Sequence, residues 1–553
     1  MGSGGSATSL LTIRNEIGSL MVTNVAGGGS GGTSQTKSGR DGSWGAARTD
    51  ATAGGAVTIL NSAFGGTGGA SSGAGNTGGL GGGVGAVSAT GTSLLGAKVS
   101  VEVIAGGGEG GRGLSGARSG DGGDTTLTNA VSGTTSGELV LKQQANGGQA
   151  GTALFGSAGG RGGYAESSLA FNHVGSSLNA QSIANGGYGG IFSNAPDTRG
   201  GDARAVIDVT GAGSVSAEAG AYAGYSYATI PVGIGSNGSA SASAIGTGFV
   251  QARALASGGG SRDSQAPVGT GDADSDATVI GPGGRSVANA RAFGSAGTAL
   301  ASARALDDER MRVSATVSGS VKRGTAVTSV RNVTAGAGIS VDYIGVGAGP
   351  GSVAATAVAV GDPRRYIVDN ALQSDPNAAA VIDPDDPLQQ ILLFGEFAND
   401  GGTNSSQEVD TRTTSSVIEL SVDPASLGLG NQLVLAFIDP QVAGNGFDSL
   451  TFRAEREGVN FLDLTFSNAV LAAAYFDDNV LLFDAFEREV DGALDLRFIL
   501  DVTVTGRDDY FATNFLVTAN VVPLPSTVWL LGTAVGLLGW RRWRTPGHGV
   551  ARD

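Results

Sequence analysis

The chain has 553 residues, 98 of them glycine and none cysteine, and a formal net charge of −16. The missing thiols exclude disulfide staples, zinc–thiolate sites and cysteine nucleophiles. The acidic surface repels phosphate backbones, so nucleic acid is not an expected partner.

At the N-terminus, Met1–Asn24 lacks the sustained apolar core of a signal peptide. This beginning reads as mid-repeat, with the true start expected upstream. Gly, Ala, Ser and Thr dominate residues 1–360, with no collagen-like period of three. Disorder is one outcome of such a composition, but Val, Ile and Leu recur in short alternating runs that favour repetitive β-structure. Gly27, Gly65, Gly106, Gly147 and Gly186 each open a glycine cluster, at intervals of 38, 41, 41 and 39. Gly258 and Gly294 continue the series, and the stretch between Gly186 and Gly258 has room for two units. A period of about 36–41 residues points to a solenoid.

Within a unit the alternation predicts two strands and two turns. Examples are 97–105, 125–131, 138–145, 203–209 and 214–223. Small inward residues predict a thin core, and the glycine clusters are expected to supply positive φ at the corners. The expected fold class is all-β: an elongated, β-helix-like solenoid, with an array of β-sandwiches as the alternative.

Residues 361–388 carry Pro363, Pro376, Pro384 and Pro387 among several aspartates and read as a linker. Residues 389–520 have ordinary apolar content and short strand-like runs, clearest at 494–504. They predict an antiparallel β-sandwich of jelly-roll type.

Chemistry-bearing groups are few. His173 lies in a strand-like run with no nucleophile elbow near it, and reads as a satisfied strand histidine. The glycines of 106–113 are not followed by a helix, so a dinucleotide loop is not expected. Scattered carboxylates do not identify the acid pair of a glycosidase. Calcium is the one candidate cofactor. Asp124 and Asp202 follow Gly-Gly pairs before strands, and Asp272, Asp274 and Asp276 are spaced as oxygen ligands. The stretch Gly120-Asp121-Gly122-Gly123-Asp124 is similar to calcium-binding β-roll turns, but the nonapeptide period is missing. Turn aspartates also bond local backbone, and Asp477 and Asp478 share that ambiguity.

The C-terminal stretch 522–544 reads VPLPSTVWLLGTAVGLLGWRRWR. Pro525 suits a first helical position, and 525–540 would span about 24 Å, short for a bilayer core of about 30 Å. Arg541, Arg542 and Arg544 would stop the helix with its C-terminus in the cytoplasm. Gly532 and Gly536 make a GxxxG pair.

This stretch resembles the PEP-CTERM family of sorting signals, in its VPLPA variant. Val522, Pro523, Leu524 and Pro525 match the opening, and Ser526 stands where that variant usually has alanine. Leu524 replaces the glutamate of the Pro-Glu-Pro form. The segments Phe447-Asp448-Ser449-Leu450 and Phe476-Asp477-Asp478-Asn479 also resemble stretches found beside such tails. The resemblance implies a Gram-negative bacterium that makes exopolysaccharide. It also implies an exosortase-type membrane protease as partner, and transient anchoring in the inner membrane through a transmembrane helix at 525–540.

Together these readings lead to an exported cell-surface or matrix protein, structural or adhesive, and not an enzyme. One rival is a carbohydrate-binding protein with 389–520 as its module, which exposed aromatics on that module would favour. The other is a polysaccharide-degrading β-helix, which clustered carboxylates in a groove would favour.

Overall fold

The structure is a computed structural model. It describes residues 2–154, 158–190, 199–226, 235–260, 269–280, 285–293, 296–304, 310–318, 323–333, 353–359, 372–373, 375–382, 389–400, 411–422, 429–444, 446–483, 494–505 and 509–521.

The chain is an all-β solenoid that ends in antiparallel sheets. One face stacks the parallel strands Leu20–Gly27, Val57–Phe64, Val99–Gly106, Glu138–Asn146, Ser177–Asn185, Ser214–Tyr222, Phe249–Ser257, Arg285–Phe293 and Arg310–Ser318. The column Gly27, Phe64, Gly106, Asn146, Asn185, Tyr222, Ser257 and Phe293 runs up its edge. Tyr222 falls between Asn185 and Ser257, so the stretch after Gly186 does hold two units.

The opposite face begins with Ala7–Asn15, Gly45–Ala53, Val84–Ser93 and Val131–Thr134. It then shifts to a second sheet that starts at Thr125–Thr128 and continues through Ala165–His173 and Ala203–Gly211. The stretch 125–131 is therefore two strands. Asn129 breaks it at φ 48°, a left-handed conformation that asparagine tolerates better than β-branched residues. Its side chain accepts from Ala170 N at 2.7 Å.

Between the faces, alternate residues are buried in strands such as Val99–Gly106, Ala203–Gly211 and Gly238–Gly246. Ala217, Ala219, Ala221, Ala252, Ala254 and Ala256 meet Ala205, Ala240, Ala242 and Ala244 in one continuous core. The expected thin core is present.

A unit is not two strands and two turns, however. One connection is short, as at 16–19 or 212–213. The other is a glycine-rich arc, described throughout at 28–44, 65–83 and 107–124. Each well-described arc runs out in one extended leg and returns in another, and its hydrogen bonds go to other legs. Gly28 donates to Phe64 at the end of the next strand, and Gly31 and Ser34 donate to Thr67 and Ala70 of the next arc. Ser43 and Arg40 donate back to Gly29 and Gly32 of their own. A three-residue hydrogen-bond period without bonds inside a leg matches a polyproline II-type helix.

Among the described residues, positive φ occurs where the chain turns, at Gly73 and Gly75 in the arc 65–83, Gly116 in the arc 107–124 and Gly96 in a short connection, but not at the glycines that open the clusters. Glycine is needed because the legs touch backbone to backbone. A Cβ on Gly28, Gly66, Gly82, Gly108, Gly148 or Gly187 would fall within 3.0 Å of a neighbouring carbonyl oxygen.

At the C-terminal end both faces pass into antiparallel pairing. Arg412–Val422 lies parallel to the solenoid strand Arg323–Val333 and antiparallel to Leu494–Val504. On the other face Val353–Ala359, Gln389–Asp400, Tyr510–Val521, Leu429–Ala443 and Asn479–Phe483 continue the sheet. The module is thus hydrogen-bonded into the solenoid. The proposed linker is corrected in its described part. Pro376–Val381 is a short helix, and Leu372, Ala378 and Ile382 pack on Ile391, Phe394, Val434 and Leu516 of the outer sheet surface. Among the described residues no helix is long and apolar enough to cross a membrane. The sorting residues Val522, Pro523, Leu524 and Pro525 and the arginines Arg541, Arg542 and Arg544 lie outside the described residues.

Candidate functional site

Threefold legs leave one residue in three facing outward, with its amide directed away from neighbouring legs. The aspartates singled out in the sequence occupy such positions on the return legs. Asp124 Oδ1 accepts from Tyr164 N at 2.7 Å, one turn further on. Asp202 Oδ1 accepts from Asn237 N at 2.8 Å, and Asn237 Oδ1 accepts from Thr270 N at 3.1 Å. Asp41 and Asp121 repeat the contact to Leu80 N and Arg161 N, at 2.7 and 2.8 Å. Each carboxylate satisfies an outward amide of the following turn. Arginines three residues earlier, Arg118 and Arg199, pair with Asp121 and Asp202 at 3.0 and 2.8 Å. The aspartate bonds backbone, as turn aspartates do, but the backbone belongs to the next turn.

Asp272, Asp274 and Asp276 lie on the strand Gly271–Val279, facing outward at alternate positions. Residues two apart on a strand are roughly 6.6 Å apart, so these carboxylates stand in a row and do not converge on a point. Burial and then Asp276 raise the Asp274 carboxyl above its ordinary range. Among the described residues no group of three His, Cys, Asp or Glu side chains could hold a metal ion.

His173 is buried, with Nε2 3.1 Å from the Gly137 carbonyl. Glu396 is a titrating group the sequence did not mark. Burial pushes its carboxyl up to about 7, and its register partners on the two adjacent strands are Thr356 and Asn514. No second carboxylate stands opposite it in the ladder to complete an acid–base pair.

The aromatic side chains fall into two populations. Phe397, Phe437, Phe452, Phe476, Phe498, Phe511 and Phe515 of the C-terminal module are fully buried. They interlock across the two sheets, as in Phe437 with Phe452 at 5.0 Å between ring centroids, and Phe437 also meets Phe476 of the helix Ala469–Phe476 at 4.8 Å. Among the described residues of 389–521, the exposed large apolar side chains are Val442, Val459, Val470, Leu471 and Leu482, with no aromatic. Phe447 and Leu450 of one tail-adjacent segment are core residues. In the other, Asp478 takes the first-turn amides Asn377 N and Ala378 N at 2.8 Å each, tethering the short helix.

The solenoid instead exposes its aromatics. Tyr188 and Tyr225 occupy the same outward column of successive outgoing legs, with centroids 6.1 Å apart. Tyr222, at the end of the adjoining strand, follows Asn146 and Asn185 in register. Asn185 Nδ2 donates to Asn146 Oδ1 at 2.7 Å. The result is a pair of half-exposed phenol rings, Tyr188 and Tyr225, with Tyr222 lying back over Gly220 on the adjoining strand, chemistry that can stack on sugar rings and hydrogen-bond their hydroxyls. The aromatic residues themselves were legible, but their exposure depends on the leg period. Neither the protein-family models nor the curated proteins compared with this chain match it.

Proposed function

We propose that this chain is an exported bacterial surface or matrix protein with a structural or adhesive role. On this reading an exosortase-type protease sorts it through 522–544, and 525–540 is the transient membrane helix. The single observation that supports a structural role is the interlocked stack of glycine legs. It makes a stiff scaffold whose outward columns repeat from turn to turn, suited to many weak contacts along a polymer. The C-terminal sheets form the sandwich nearest the membrane and seal the end of the scaffold.

Glycan contact remains the second reading, and the exposed tyrosine pair favours placing it on the solenoid. The test is the intact mass of the exported form from cells with and without the sorting protease. Loss of the tail near Pro523–Pro525, dependent on the protease, is expected. An intact C-terminus held in the membrane under both conditions would overturn the sorting reading.

A further inference from the structure

The first turns of the solenoid carry a hollow of about 620 Å³ on the outer surface of the face that begins with Ala7–Asn15. Local sequence makes it. Each strand of this face is preceded by the last residue of a return leg, and in the first full turn that residue is Trp44. In the next turn its equivalent is Gly83, which offers no side chain.

Pairing between Gly45–Ala53 and Val84–Ser93 then slips. Gly45 stands opposite Val84, but Ala47 stands opposite Val87. The extra residue is a β-bulge, a device that re-aims side chains and opens the ladder. Gly85 sits in the bulge, and the Trp44 ring lies against it: a Cβ there would stand 2.8 Å from Trp44 Cε3. Two glycines and one extra residue thus make room for an indole that is 45% exposed.

We infer that this hollow is a binding site for a neutral pyranose unit of a glycan. Its wall is Trp44 with Leu10, Ala46 and Val84, and Thr8 and Ser88 bring hydroxyl groups to its lining. An exposed indole beside small apolar side chains suits the C–H face of a sugar ring, and hydroxyls suit its edge. Arg48 also lines it, but its guanidinium pairs with Asp50 at 3.3 Å. The local charge is therefore matched, and a neutral sugar fits better than a uronate. The volume is in the range of small-ligand pockets.

The biological ligand rests on the matrix reading above. Binding itself does not, because it is measured on purified protein whatever the fate of the tail. Isothermal titration of the full chain with β-1,4- and α-1,4-linked glucose hexasaccharides is the experiment. At least one probe should bind with a Kd of about 10 mM or tighter. Trp44→Ala should weaken it about tenfold or more, and Ser88→Ala, at a half-buried hydroxyl, about threefold. Phe249→Ala, at an exposed ring remote from the hollow, should leave it unchanged. A thermal melt shows whether each variant is folded, and Ser88→Ala carries the test if Trp44→Ala is not. No heat with either probe, or full binding retained in a folded Trp44→Ala, would overturn the assignment.

Discussion

Between Ser214 and Phe293 the two faces of the solenoid meet over alanine, and beside them glycine legs meet backbone to backbone. From Gln389 to Val521 the same two faces are held apart by seven fully buried phenylalanines. The sheets are continuous, yet the source of cohesion changes. An alanine buries little apolar area, so the solenoid depends on ladder hydrogen bonds and on legs close enough for amides to reach carbonyls. The C-terminal module depends on side-chain volume, the ordinary arrangement of a globular core. A continuous sheet can therefore pass between two packing regimes when the residues between its faces change.

Substitutions that respect one regime and violate the other separate them. The largest effect belongs to Phe452→Ala, which removes a ring touching Phe397, Phe437, Phe476 and Phe515. A loss of about 3–5 kcal/mol is expected, seen as early melting of the C-terminal module while the solenoid stays protease-resistant. Next comes Gly108→Ala, whose methyl would strike the Gly66 carbonyl. It should cost about 2–3 kcal/mol of solenoid stability. Gly27→Ala, where nothing lies within 4 Å, should be neutral or stabilising by up to about 1 kcal/mol. Equal effects of the two in chemical denaturation would refute close packing as the reason for glycine. The smallest loss of stability belongs to Asp124→Ala, which frees the Tyr164 amide and should cost about 1 kcal/mol. Asp124→Asn should retain most of the contact, as Asn237 does at the equivalent position. Chelators should not shift the melting temperature, and a clear rise on adding calcium would give these aspartates a different role.

Much of this architecture was legible in the sequence. The glycine intervals mark the repeat, and alternation places strands such as Leu494–Val504 at their observed bounds. The arcs escape a reading of the whole chain because their period is confined to the glycine clusters. Within a cluster such as Gly65-Gly66-Thr67-Gly68-Gly69 or Gly186-Gly187-Tyr188-Gly189-Gly190 a period of three is present, with an outward residue at every third place. It dissolves in the strands, so composition alone cannot show it. Asp124 and Asp202 looked like turn ligands for the same reason: their acceptor role needs the amide of the next turn, some 35–40 residues away. The Trp44 hollow depends on a register slip between strands, which no local pattern encodes.

The claim that the glycine clusters are packed legs can be tested most directly by amide hydrogen exchange across 106–124. Gly107, Gly108, Gly110 and Gly111 donate to carbonyls of neighbouring legs. They should exchange slowly, with protection like that of the strand Val99–Gly106, while the outward amide of Glu109 exchanges fast. Uniformly fast exchange through the cluster, at the rate of an open loop, would contradict it.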